Sequence, residues 1–194
     1  IGAYVWGLQL ELGNFPTSYI PGGSKGSSVT RGADYAKITT DEFSEFSNEE
    51  EWTLLVETDV DPTALVASPT GKNYIGILKD DGTYANYFNI RYVTDATQGD
   101  AYIDAYGQSG SSVQFDMGGS SSGYPRNVKA ALAAKLNDIA FSYNGNTVQT
   151  DSSAAMPLSP DTLLLGGVST KLHIKRVAYY PKRLPNSQLV TLTS

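Results

Sequence analysis

The feature that most constrains this chain is its punctuation. Asp81-Gly82, the Gly/Ser-rich stretch 107–111 and Asn144-Gly145-Asn146 each sit between two short runs with strand character. Gly supplies the positive φ of a tight turn at little steric cost, so such pairs read as β-hairpins. The first joins residues 73–79 to 85–93, the second 101–106 to 112–117, and the third 139–143 to 147–150. Further strands read at 35–39, 51–60, 162–165 and 171–180, and period two puts Trp52, Leu54 and Val56 on one face of the second of these. Residues 130–136 (AALAAKL) have high helix propensity but are too few for a stable lone helix, so strand pairing on both sides is expected to override it. The one helix expected lies at 185–192, with Leu189, Val190 and Leu192 covering an edge of the core. Many short strands with hairpin turns and almost no helix point to an all-β chain, a β-sandwich or jelly roll with a short C-terminal helix. Thirteen Tyr and nineteen Gly with only 18% charged residues suit that architecture.

The chain divides into three. In residues 1–20, Tyr4, Trp6, Leu8 and Leu10 alternate with Val5, Gly7, Gln9 and Glu11 before turn pairs at Gly13-Asn14 and Phe15-Pro16, which reads as a strand. Residues 21–34 (PGGSKGSSVTRGAD) have no apolar periodicity and read as a linker, which leaves 35–194 as the principal domain. A net charge of −6 argues against nucleic acid as a partner. Without cysteine there is neither a disulfide framework nor a Cys metal site. No apolar run approaches the roughly 18–20 residues of a membrane-spanning helix, so membrane insertion is not expected.

Two terminal blocks carry a family resemblance. Trp6-Gly7-Leu8-Gln9-Leu10-Glu11, Phe15-Pro16-Thr17-Ser18-Tyr19-Ile20-Pro21 and Thr30-Arg31-Gly32-Ala33-Asp34 resemble a block of phage tail-fibre and related structural proteins. The run from Ile174 to Leu184 (IKRVAYYPKRL), with Gln188-Leu189, resembles the last strand and helix of their concanavalin A-like lectin/glucanase (laminin-G-like) domains. Residues 137–145 (NDIAFSYNG) resemble a hairpin two strands earlier. Gly22-Gly23 departs from the Thr more usual after that Pro, which softens the junction without affecting the fold. The resemblance implies that residues 1–20 close an upstream module, that the chain is the C-terminal piece of a longer fibre or spike, and that it forms a homotrimer in a virion or other extracellular setting.

The candidate chemistry is sparse. His173 is the sole histidine and, flanked by Leu172 and Ile174, reads as an ordinary structural residue rather than part of a triad or metal site. The sharpest enzymatic pattern is Glu57-Thr58-Asp59-Val60-Asp61, which resembles the acidic strand motif of laminarinase-type glucanases. Period two puts Glu57, Asp59 and Asp61 on one face. The outer pair is roughly 13 Å apart at Cα, however, while retaining hydrolysis needs carboxyls roughly 5–5.5 Å apart. Glu49-Glu50-Glu51 reads as a solvated turn, and residues 118–123 (GGSSSG) as a plain loop. Asp80 and Asp81 could chelate Ca2+, but they lack a spaced ligand series, and their turn role explains them; no cofactor is required.

Aromatic and amide side chains remain, the groups that stack on sugar rings and bond their hydroxyls. Tyr74, Tyr84, Asn86, Tyr87, Asn89, Arg91 and Tyr92 fall on or beside one hairpin, and Tyr102, Asp104 and Tyr106 share a face of the next strand. Tyr74, Tyr84, Asn86, Tyr87, Tyr102, Asp104 and Tyr106 are the candidate carbohydrate contacts, against the alternative that half of these tyrosines simply pack with their hydroxyls at the rim. The expected function is non-catalytic: a receptor-binding domain of a phage tail fibre that adheres to bacterial cell-surface glycan through multivalent weak contacts. The alternatives are a glycan hydrolase using Glu57, Asp59 and Asp61, and an architectural domain that trimerises or caps the fibre.

Overall fold

The computed structural model describes residues 36–60, 72–79, 85–95, 100–121, 125–156, 160–166 and 172–194. Along the chain these form β1 (Ala36–Thr39), α1 (Thr40–Ser44), β2 (Glu51–Val60), β3 (Lys72–Lys79), β4 (Tyr87–Asp95), β5 (Asp100–Ser109) and β6 (Ser112–Ser121). There follow β7 (Asn127–Lys135), β8 (Ile139–Tyr143), β9 (Gln149–Asp151), β10 (Thr162–Leu165), β11 (Leu172–Tyr180) and α2 (Asn186–Thr193). All strand pairs are antiparallel. They make a six-stranded sheet A, ordered β1-β10-β3-β4-β5-β6, and a five-stranded sheet B, ordered β11-β2-β7-β8-β9. The architecture is the expected jelly-roll β-sandwich with a short C-terminal helix.

The alternation read from the sequence is what closes the two sheets on each other. Trp52, Leu54 and Val56 of β2 face Phe88, Ile90 and Tyr92 of β4 across the core, and Phe115, Phe141 and Tyr143 join them. The Trp52 and Phe88 rings lie 5.8 Å apart, and Phe88 meets Phe115 edge-on at 4.7 Å. Such tilted and edge-on pairs add to the free energy of burying the rings.

The Ala-rich segment is strand, as expected, and burial on both faces explains its composition. Ala130, Leu132 and Ala134 belong to the core between the sheets, while Ala131 and Ala133 form a second apolar cluster with Leu55, Ala140 and Leu189. A strand covered on both sides reads as a continuous apolar run. The helix behind it was expected to seal an edge of the core. Instead α2 lies on the outer face of sheet B, where Leu189 is fully buried and Leu192 packs beside it. Small alanines beneath the helix let it approach the sheet. Hydroxyls fix it there: the Ser142 and Thr193 hydroxyl oxygens lie 3.1 Å apart, and Thr53 Oγ1 donates to the Lys182 carbonyl and accepts from the Leu184 amide.

Two further departures are instructive. No helix was expected at 40–44, yet α1 forms, and its Phe43 is buried against Tyr179 and Phe46 in edge-on contacts. One apolar anchor in a single turn gives too little periodicity to read. Burial raises the Tyr179 hydroxyl above its ordinary pKa, opposed in part by its hydrogen bond with the Asn48 backbone. The Gly/Ser stretch expected as a loop from 118 is, as far as Ser121, the end of β6, in register with Ala101–Asp104 of β5. The glycines are there because neighbours fill the space: a Cβ on Gly118 would come within 2.5 Å of Asp104 Cβ, and one on Gly119 within 2.3 Å of the Tyr143 hydroxyl. The expected strand at 1–20, the linker at 21–34, and residues 122 and 123 lie outside the described residues.

Candidate functional site

The two sheets present their outer faces differently. On sheet B that face is apolar under α2. On sheet A the residues of β4, β5 and β6 that alternate with the core are charged, amide and aromatic, and the register brings them together. Arg91 sits opposite Asp104, which sits opposite Gly118; in the next row Asn89, Tyr106 and Asp116 face one another across the three strands.

Arg91 is the hub. Its Nε donates to Asp104 Oδ1 at 2.7 Å, its Nη2 to Asp104 Oδ2 at 2.5 Å and to Asp116 Oδ1 at 3.0 Å. The guanidinium carbon lies 4.3 Å from the centroid of the Tyr106 ring, a cation–π arrangement. Arg91 and Asp104 side chains are each only 3% exposed, whereas Asp116 is 59% exposed. A bidentate pair withdrawn from water is rigid, because two parallel charge-assisted hydrogen bonds fix the geometry of both side chains. Tyr87 leans against Tyr106, with centroids 5.8 Å apart. The buried Asn89 amide makes no hydrogen bond with either of its polar atoms, a state costing about 1–3 kcal/mol.

Exposure grows from β4 towards β6, and there a recess of about 220 Å³ opens, lined by Tyr102, Asp104, Asp116, Gly118 and Gly119. Gly118 adds backbone without a side chain to the lining, its carbonyl accepting from Gln149 Nε2 at 2.9 Å, beside a partly exposed Tyr102 and the Asp116 carboxylate. Such a site can offer an aromatic surface and fixed hydrogen-bond acceptors. Among the described residues no group of three or more His, Cys, Asp or Glu is placed to hold a metal ion.

Of the sequence-expected contacts, Tyr87, Tyr102, Asp104 and Tyr106 share this outer face. Asp104 does not act as a free acceptor, since both its oxygens accept from Arg91; its place is to hold the guanidinium. Asn86 lies before β4, where its Oδ1 accepts from the Gly110 amide at 2.7 Å and ties the β5–β6 turn. Tyr74 lies in β3 opposite Arg91. Tyr92, grouped with this hairpin in the sequence, belongs to the core instead. Tyr84, Asp61, Asp80 and Asp81 lie outside the described residues. Sequence reasoning missed Asp116 and Gly118. The alternation of Phe115 and Met117 inward marks Asp116 as outward-facing, but only the β5–β6 register places it beside Arg91.

Glu57 and Asp59 do share a face, the outer face of sheet B beyond the reach of α2. Glu57 pairs with Arg176 at 3.2 Å and Asp59 with Lys175 at 2.6 Å. A register shift in β11 between Ile174 and Arg176 lets two consecutive basic residues reach neighbouring acids. His173 is exposed on the same strand, opposite Asp59.

A six-on-five antiparallel sandwich of this kind has the jelly-roll fold of concanavalin A-like type. Solved structures that share the fold include the following three. The botulinum neurotoxin serotype D binding domain aligns with 84% of this chain and 40% of its own, at 13% identity and TM-score 0.60. A leech intramolecular trans-sialidase aligns with 83% of this chain and 27% of its own, at 13% identity and TM-score 0.59. A Trypanosoma rangeli sialidase aligns with 75% of this chain and 22% of its own, at 12% identity and TM-score 0.52. The chain thus spans less than half the length of each. No protein-family model matches the sequence, and no curated protein matches it.

Proposed function

We propose that this chain is a non-catalytic carbohydrate-binding domain whose ligand lies on the outer face of sheet A, over β4 to β6. The observation that carries the reading is the pre-set polar network on that face, Arg91 locked between Asp104 and Asp116 under Tyr106, next to a recess lined in part by glycine backbone. Rigid planar groups beside aromatic rings suit sugar hydroxyls and sugar C–H faces, and they need little ordering when a ligand arrives. The setting we propose, from the resemblance of the terminal sequence blocks, is the distal part of a phage tail fibre. There the protein forms a homotrimer on the virion, outside the cell, and adheres to bacterial surface glycan. Several copies per fibre would multiply weak single-site affinities.

A hydrolase centred on Glu57 and Asp59 draws no support from the geometry, because each carboxylate is held by a neighbouring cation on the face away from the recess. The test is a glycan array probed with the whole chain beside Tyr102→Ala. Defined glycans bound by the parent and lost in the variant are the expected result; a parent silent at high density would overturn the proposal.

A further inference from the structure

The charges on the sheet A face go further than the binding reading on which this inference rests: they select the ligand. We infer that the recess takes a sugar residue without an anionic group, and takes a hexosamine with a free amine best. Arg91 is the one cation among the described residues placed at the recess, and its charge is already spent. Its Nε and Nη2 edge is filled by two carboxylates, its face is covered by Tyr106, and it is 3% exposed. Among the described residues the recess carries two carboxylates against that one guanidinium, and the exposed one is Asp116, which gives only one of its oxygens to Arg91.

A sugar carboxylate or sulfate entering here would meet the Asp116 carboxylate with no counter-charge among the described residues that line the recess, and like-charge juxtaposition at an interface is costly. An ammonium on the sugar would instead pair with Asp116, while a neutral hexose would find an acceptor and an aromatic neighbour only. At about 220 Å³ the recess is below the roughly 300–1,000 Å³ of drug-sized sites. It therefore suits a single ring, and only the residue seated in it is selected.

The experiment is titration of the whole chain with three soluble probes of matched length: chitosan oligosaccharides, a neutral glucan oligosaccharide and an oligouronate. The same series is run on Asp116→Asn, and on Glu49→Gln as a control that removes one exposed charge far from the recess. The expected order is amino over neutral over acidic. Asp116→Asn should weaken the amino probe by roughly tenfold and bring the acidic probe closer to the neutral one, while Glu49→Gln should bind all three as the parent does. Equal losses in both variants would mean a diffuse charge effect and overturn the inference, as would tightest binding of the oligouronate; either would leave the carbohydrate-binding reading standing. No binding of any probe, with none on the array, would overturn both.

Discussion

The two outer faces of the sandwich start from the same problem, a sheet surface with its back to the core, and solve it in opposite ways. Sheet B is sealed: alanines and Leu55 lie under α2, and Ser142, Thr193 and Thr53 fasten the helix and the segment before it. Sheet A carries buried charge: Arg91 and Asp104 lie in a face that could have been apolar. A hydrophobic seal stabilises through area removed from water. A buried ion pair stabilises little net, since desolvation offsets much of the attraction. The contrast sets β4 to β6 apart as the part of the surface whose buried charged groups add little to net stability.

The largest effect should come from breaking the pair on sheet A. Arg91→Ala leaves Asp104 buried without its partner and should cost about 3–5 kcal/mol in urea unfolding. Replacing both members, Arg91→Met with Asp104→Leu, should recover most of that stability, since two apolar groups leave no charge stranded. If the face serves a ligand, the double variant should fold and yet lose glycan binding. A double variant as unstable as the single one would mean that the pair is architectural, and the contrast between the faces would lose its meaning.

On sheet B the corresponding test is Leu189→Ala. It removes the one fully buried leucine of α2 from a site with little room to collapse, and should cost about 2–4 kcal/mol. Glycan binding should be untouched in the fraction that stays folded. A smaller third effect is expected at Gly118→Ala, whose methyl would press on Asp104 Cβ. Asp104 is held by two hydrogen bonds and cannot swing away, so strain of about 1–3 kcal/mol and a shrunken recess should follow. Melting temperature and probe affinity should fall together there, whereas Leu189→Ala should lower only the first.

How much of this was legible in the chain follows from which interactions are local. Strands β2, β8 and β10 fall at the residues that alternation and turn pairs indicate, because period two and a Gly or Asn turn are properties of neighbouring residues. The Tyr102, Asp104 and Tyr106 stripe is of the same kind. The seat of α2 was not legible as a face rather than an edge, since alanine at 131 and 133 signals helix propensity as readily as close packing. Asp116 and Gly118 were missed for a related reason. Their meaning depends on pairing across β5 and β6, and a sequence carries cross-strand register only where a turn fixes it. Here the turn at Gly110-Ser111 is followed by an irregularity between Gly107 and Gln108, which shifts every later pair.

The smallest expected effect is also the cleanest control, because it lies on sheet B outside the cover of α2. Glu57 and Arg176 form an ion pair with the arginine half exposed, and solvent screens most of its attraction. Glu57→Gln should change stability by about 0.2–1 kcal/mol and fade to nothing at high salt. It should leave every glycan affinity as it was, since Glu57 is on the face away from the recess. Should Glu57→Gln instead abolish binding, or abolish release of reducing ends from a polysaccharide, then the working face would be that of sheet B. The buried pair at Arg91 would then need another explanation, and a sealed face would be the one that meets the ligand.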